Sequence, residues 1–185
     1  MWRTGIWPHA LVPLPRDEDY EQAIAAVDGM GRDPTARLAR LLWPLGGGEG
    51  SAERIEACVE ALRPSRAERA MVLLLTGEAT RALQDARTPV ELRRAASRVG
   101  REHLAAALDV LGADAAKRAA LHDAIEEAAL TVGELAIKGR DLIAEGVVSK
   151  GRAVGERLAA LLDDVLVDPG LNTREGLLAR ARQLG

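Results

Sequence analysis

A chain of 185 residues with no phenylalanine and a single tyrosine, Tyr20, must build its interior from Leu, Ala and Val. Leu and Ala are strong helix formers, and small side chains let helix backbones approach one another closely. Apolar residues recur at three- and four-residue spacing, and no segment sustains the alternation of a half-buried strand. The β-favouring run 71–75 is short and lies behind a helix start. The expected fold class is therefore all-α: an irregular antiparallel bundle of six to eight helices, preceded by an extended arm containing Pro and Trp.

Apolar residues make up 48% of the chain and charged residues 29%, which places it with globular rather than disordered sequences. A net charge of −3 sets up no global field toward nucleic acid or anionic lipid. Lys occurs only at Lys117, Lys138 and Lys150. The Arg preference and the Ala excess read as the codon usage of a GC-rich bacterial genome. Cys58 is alone, so no intrachain disulfide is expected and a reducing compartment fits. The N-terminus lacks the apolar run of a signal peptide, and nothing approaches the roughly 18 apolar residues of a membrane helix. The expected location is the cytoplasm.

Residues 1–16 read as an extended arm: Pro8, Pro13 and Pro15 oppose a helix, while Trp2, Ile6, Trp7, Leu11, Val12 and Leu14 give apolar faces. Such an arm either folds back on its own domain or docks on a partner. Two short helices are expected in 17–45, the second opened by Asp33-Pro34, carrying Leu38, Leu41 and Leu42, and stopped at Trp43-Pro44. They should pack on a main bundle formed by 51–185, because a piece of roughly 45 residues buries too little to stand alone. Gly46–Gly50 is the linker between them. Ser51 is the expected cap of a helix reaching Leu62. Ser65 with Glu68 forms a capping box, and Gly77 ends that helix. A short helix follows over 78–86. Thr88-Pro89-Val90-Glu91 is the clearest start signal, for a helix expected to run to Leu111 and stop at Gly112.

Asp114 is expected to open the longest helical region. Leu121, Ile125, Ala128, Val132, Leu135, Ala136 and Ile143 share one face at about 100° per residue, and Asp123, Glu127, Glu134, Asp141 and Glu145 lie opposite. The stripe breaks near 146–151 and resumes, rotated, with Val154, Leu158, Leu161 and Val165. Asp168-Pro169-Gly170 is a turn, and Asn172 with Glu175 is the expected cap of a last helix to Leu184.

Asp33-Pro34, Arg37-Leu38 and Trp43-Pro44 are similar to a short line found in some bacterial J-domain-like proteins. The likeness rests on these few residues alone, and the His-Pro-Asp tripeptide of those proteins is missing. It implies no function here.

No constellation of catalytic, cofactor or metal-binding residues stands out. His103 falls in the stripe of Leu92, Ala96, Val99, Ala106 and Val110, as a core-edge histidine would. His122 and Glu126 make an ordinary helical pair, well short of the three or four ligands a metal needs. Cys58 has no base nearby to activate it. Gly46–Gly50 has neither the preceding strand nor the following Lys of a phosphate loop. Arg94, Arg98 and Arg101 share a helix face, the candidate nucleic-acid surface of the Arg-rich segment 63–101. Glu91 and Glu102 stand at pairing distance in sequence, and no aromatic residue is interleaved for base stacking. Gly139 and Gly146 fall on the apolar stripe, and Gly151 and Gly155 are four apart. Glycine inside a helix costs roughly 1 kcal/mol relative to Ala, so a close helix neighbour or a hinge is implied.

These features point to a non-enzymatic helical protein-interaction module, an adaptor or assembly factor. It would self-associate as a homo-oligomer through residues 121–165. The residues expected to carry the interaction are Trp2, Trp7, Leu121, Ile125, Val132, Leu135, Gly139, Gly146, Val154, Leu158 and Leu161. The alternatives are nucleic-acid binding through Arg94, Arg98 and Arg101, and association of 133–166 with a membrane surface.

Overall fold

Asp33-Pro34 shows how directly local chemistry sets a helix start. In the computed structural model, which describes residues 24–46 and 50–184, the Asp33 carboxylate accepts from the Thr35 amide at 2.9 Å. Pro34 occupies the first turn, where no amide partner is needed. Helix α1 (Pro34–Leu42) buries Ala36, Ala39 and Leu42, and Trp43–Gly46 follows as a 3₁₀ turn. Among the described residues every regular element is helical, so the fold is all-α. The expected arm 1–16, with Trp2 and Trp7, lies outside the described residues, as do 47–49 of the glycine linker.

The chain divides into two compact units, Met1–Asp85 with Glu102–Ala115, and Ala86–Arg101 with Ala116–Gly185. The expectation was one bundle over 51–185. The helix expected to run unbroken to Leu111 stops at Val99, because Gly100 takes φ 87°, a left-handed conformation that ends it.

In the N-terminal unit, α1 packs on α3 (Arg66–Thr76) and α6 (Leu104–Leu111), its alanines allowing close approach. Helix α2 (Ser51–Leu62) is capped by Gly50 in a left-handed turn rather than by the Ser51 side chain. It ends at Arg63, held at φ 49° ahead of Pro64. The Ser65–Glu68 capping box that opens α3 forms as expected, with bonds of 2.8 and 3.3 Å. Helix α4 (Glu78–Asp85) follows α3 after a single residue, Gly77. A Cβ there would sit 2.6 Å from the Leu73 carbonyl oxygen, so only glycine allows the sharp corner. Gly112 closes α6 at φ 63°, with Ala113 N donating to Leu108 O.

In the C-terminal unit, α5 (Pro89–Val99) carries the Thr88–Glu91 capping box. The long amphipathic helix expected from Asp114 does not form. Helix α7 (Ala115–Ile125) stops at Ile125, and 126–138 runs irregularly through a 3₁₀ turn, Val132–Glu134. Side chains replace the helical ladder along this stretch. Arg101 donates to the carbonyls of Ile125 and Ala128, Ser97 to that of Leu130, and Glu134 accepts from the Leu130 amide at 2.7 Å. Asn172 accepts from the Ala136 amide and donates to the Glu134 carbonyl. Asn172 is thus a brace, and the cap of α10 (Arg174–Gln183) is Thr173. Thr131, Val132 and Gly133 are weak helix formers, so the loss is small once those backbone groups are satisfied elsewhere. Helices α8 (Gly139–Ala144), α9 (Arg152–Val167) and α10 enclose the core: Ala129, Leu135, Ile137, Leu142, Leu161, Val165, Leu177, Leu178 and Ala181.

The glycines of the stripe separate by role. A Cβ on Gly139 would come within 2.5 Å of Val154 Cγ1, so Gly139 is where α8 and α9 touch. Gly146 sits at φ 67° and terminates α8, with Val147 N donating to Leu142 O. A Cβ on Gly155 meets nothing within 4 Å. Gly139→Ala is therefore expected to destabilise the unit, because the stiff, β-branched Val154 must move. Gly155→Ala should stabilise by up to about 1 kcal/mol through helix propensity. Urea unfolding of the two variants checks this; a shift in the same direction for both overturns the assignment.

Candidate functional site: two clefts

Arginines in this chain tie off helix ends. Arg40 donates to the Val110 carbonyl at 2.7 Å, at the end of α6, and burial lowers its pKa. Arg93, 9% exposed, donates to the carbonyls of Leu166 and Val167 at the end of α9. Arg157 donates to the Ala181 carbonyl in α10. Cations placed there satisfy orphan carbonyls and complement the helix dipole. The Arg-rich composition thus has a structural use, and arginines outside this pattern stand out as candidates for binding.

The first cleft lies in the N-terminal unit, at the corner where α2, α3 and α4 meet. It encloses about 440 Å³ and is lined by Ser51, Ala52, Ile55, Glu56, Leu73, Thr76, Gly77, Glu78 and Arg81. Ile55 and Leu73 supply the apolar walls. The Arg81 guanidinium lies 4.3 Å from the centroid of the Trp43 ring and donates to the Trp43 carbonyl. Gly46 packs flat against it: a Cβ at Gly46 would overlap the guanidinium. Burial lowers the Arg81 pKa, with Asp85 pulling the other way. The wall is preorganised by a cation–π contact, an arrangement worth on the order of 1 kcal/mol when partly exposed. Sequence reading missed this cleft. Its one local sign was Gly77 between two helix signals, and Trp43 and Gly46 reach it only through the fold.

The second cleft lies in the C-terminal unit. It encloses about 320 Å³ between Arg94, Ser97 and Arg98 of α5 and Leu162, Asp163 and Leu166 of α9. The sequence grouped Arg94 and Arg98 with Arg101, and the structure separates them. Arg101 is bonded to two carbonyls and lies 3.6 Å from Glu134. Arg94 and Arg98 are exposed, with no hydrogen bond or ion pair among the described residues. Glu91, the expected partner on their helix, is committed elsewhere. Its carboxylate accepts from the amides of Arg87 and Thr88, and those bonds hold its pKa below the ordinary carboxylate range.

The expected interaction stripe is largely interior. Leu121, Ile125, Leu135 and Leu161 are buried, Val132 and Leu158 pack against the core from its edge, and Val154 is half-buried. Cys58 is buried and its thiol pKa is pushed up by desolvation. His103 is partly covered, with Nε2 3.8 Å from Glu102, and His122 is exposed. Among the described residues no group of three His, Cys, Asp or Glu side chains is placed to hold a metal. No described helix is long and apolar enough to cross a membrane. No protein-family model, curated protein or solved structure matches the chain.

Proposed function

We propose that the chain is a helical protein-interaction module that receives an apolar side chain of a partner in the cleft at the α2–α3–α4 corner. The observation that supports this reading is the cleft itself: a concave apolar space of about 440 Å³ with one fixed cation and two carboxylates, Glu56 and Glu78, on its rim. Interface energy concentrates where an anchoring side chain enters such a space. Self-association through 121–165 and membrane binding through 133–166 are not part of the proposal, because most of the large apolar residues either would need are buried within the C-terminal unit.

Ala52 is exposed on α2 and lines the cleft, so Ala52→Trp fills it without entering the core. Titration of the protein with N-acetyl-leucine amide, followed by amide NMR, should shift resonances of residues 52–56 and 73–81. In Ala52→Trp, with unchanged circular dichroism, those shifts should fall at least tenfold. Shifts scattered over the surface, or unaltered in the variant, overturn the assignment.

A further inference from the structure

We propose that the cleft between α5 and α9 is a second binding site, for a short peptide segment that presents a carboxylate beside an apolar side chain. Three charged side chains without a partner among the described residues line this one cleft: Arg94 and Arg98 on one wall, Asp163 on the other. The two arginines are one helical turn apart on α5, and no ion pair joins either to Asp163. Neighbouring charges are already matched. Asp164 holds Arg180 at 2.7 Å, Glu91 caps α5, and Arg93 and Arg101 bind carbonyls. Among the described residues the cleft therefore keeps two unpaired guanidiniums and one unpaired carboxylate beside the half-buried Leu162.

That combination selects among anions. Two guanidiniums side by side suit a carboxylate, whose two oxygens can accept from both. Asp163 opposes a dianionic phosphate but accepts from a peptide N–H. Leu162, half-buried on α9, gives an apolar side chain a surface to cover, and a sugar–phosphate backbone carries no such side chain. With the Arg101 guanidinium bonded to the carbonyls of Ile125 and Ala128, Arg94 and Arg98 alone are short of the row of cations that follows a nucleic-acid strand. A peptide with an acidic residue next to an apolar one satisfies all three walls together. A free apolar amino acid offers the same groups, so the test separates the two sources.

The test uses the full chain and four probes: acetyl-Asp-Leu-Leu-amide, its Asn counterpart, free leucine, and a single-stranded oligonucleotide. Binding is read from amide shifts of residues 94–98 and 162–166. The acidic peptide should bind at least tenfold more tightly than the Asn peptide and weaken as salt rises. The double variant Arg94→Gln/Arg98→Gln should lose that preference at unchanged thermal stability. Asp163→Asn should tighten binding of inorganic phosphate relative to the wild type. Equal affinity for free leucine overturns the peptide assignment. Equal binding of the Asp and Asn peptides, tighter binding of the oligonucleotide, or no shifts at millimolar peptide each overturn the proposal.

Discussion

Replacing Leu161 with alanine should destabilise the C-terminal unit by about 3 kcal/mol, within the range for a fully buried leucine that leaves a cavity. Leu161 is 0% exposed at the centre of α9, in a cluster with Leu135, Ile137, Leu142, Val165 and Leu177. Those neighbours come from three helices, α8, α9 itself and α10, and an irregular segment, and they cannot collapse onto the gap without breaking other contacts. Hydrogen exchange is the suitable probe because the chain has two units, and one global transition need not report on both. Amides of α9 should exchange roughly a hundredfold faster, since each 1.4 kcal/mol is tenfold. The same substitution separates two uses of this residue. A core leucine costs stability and leaves oligomeric mass unchanged in sedimentation equilibrium. If the mass falls while exchange rates hold, Leu161 belongs to an interface and the core assignment fails.

Helix starts in this chain are legible because their chemistry is local. Asp33, Ser65 and Thr88 each bond an amide two or three residues on, so donor and acceptor lie within one helical turn in sequence. The stop at Gly112 is legible for the same reason. Segment 126–138 is not. Its apolar residues keep helical spacing, yet its carbonyls are met by Ser97 and Arg101, about 30 residues away, and its amides by Glu134 and Asn172. Periodicity identifies which residues are buried here and misjudges the backbone that buries them. Leu135 and Ile137, two apart and both buried, fit an extended segment as well as a helix.

The clefts were legible only in part. Arg94 and Arg98 are a visible pair on α5, but Leu162, Asp163 and Leu166 belong to a helix more than 60 residues later. Whether an arginine is free or tying off a helix end depends on which carbonyl lies within reach, and that is a tertiary fact. The α2–α3–α4 cleft depends on the one-residue corner at Gly77 and on Trp43 reaching Arg81, neither of which a periodic pattern encodes.

Arg93 and Arg94 are neighbours that sequence cannot tell apart, and only Arg93 should lose stability on replacement by methionine. Arg93 Nε donates to the Leu166 carbonyl at 2.7 Å and Nη2 to the Val167 carbonyl at 2.9 Å, satisfying two of the orphan acceptors at the end of a 16-residue helix. Arg93→Met keeps the apolar stem and removes both bonds. Bonds from a charged donor are worth roughly 1.5–3 kcal/mol each. Val167 is 48% exposed, so water can replace its partner, whereas Leu166 is 3% exposed and its carbonyl loses more. The net loss should be about 3 kcal/mol. Arg93→Lys should recover little of it, since one ammonium cannot reproduce the fork that meets two carbonyls. Arg94→Met, at an exposed position without a partner among the described residues, should stay within about 0.5 kcal/mol of the wild type. Urea unfolding and exchange at the C-terminal amides of α9 give both values. Equal losses for the two arginines would show that the Arg93 fork does not hold α9, and would remove the distinction between tying and free arginines on which the α5–α9 cleft rests.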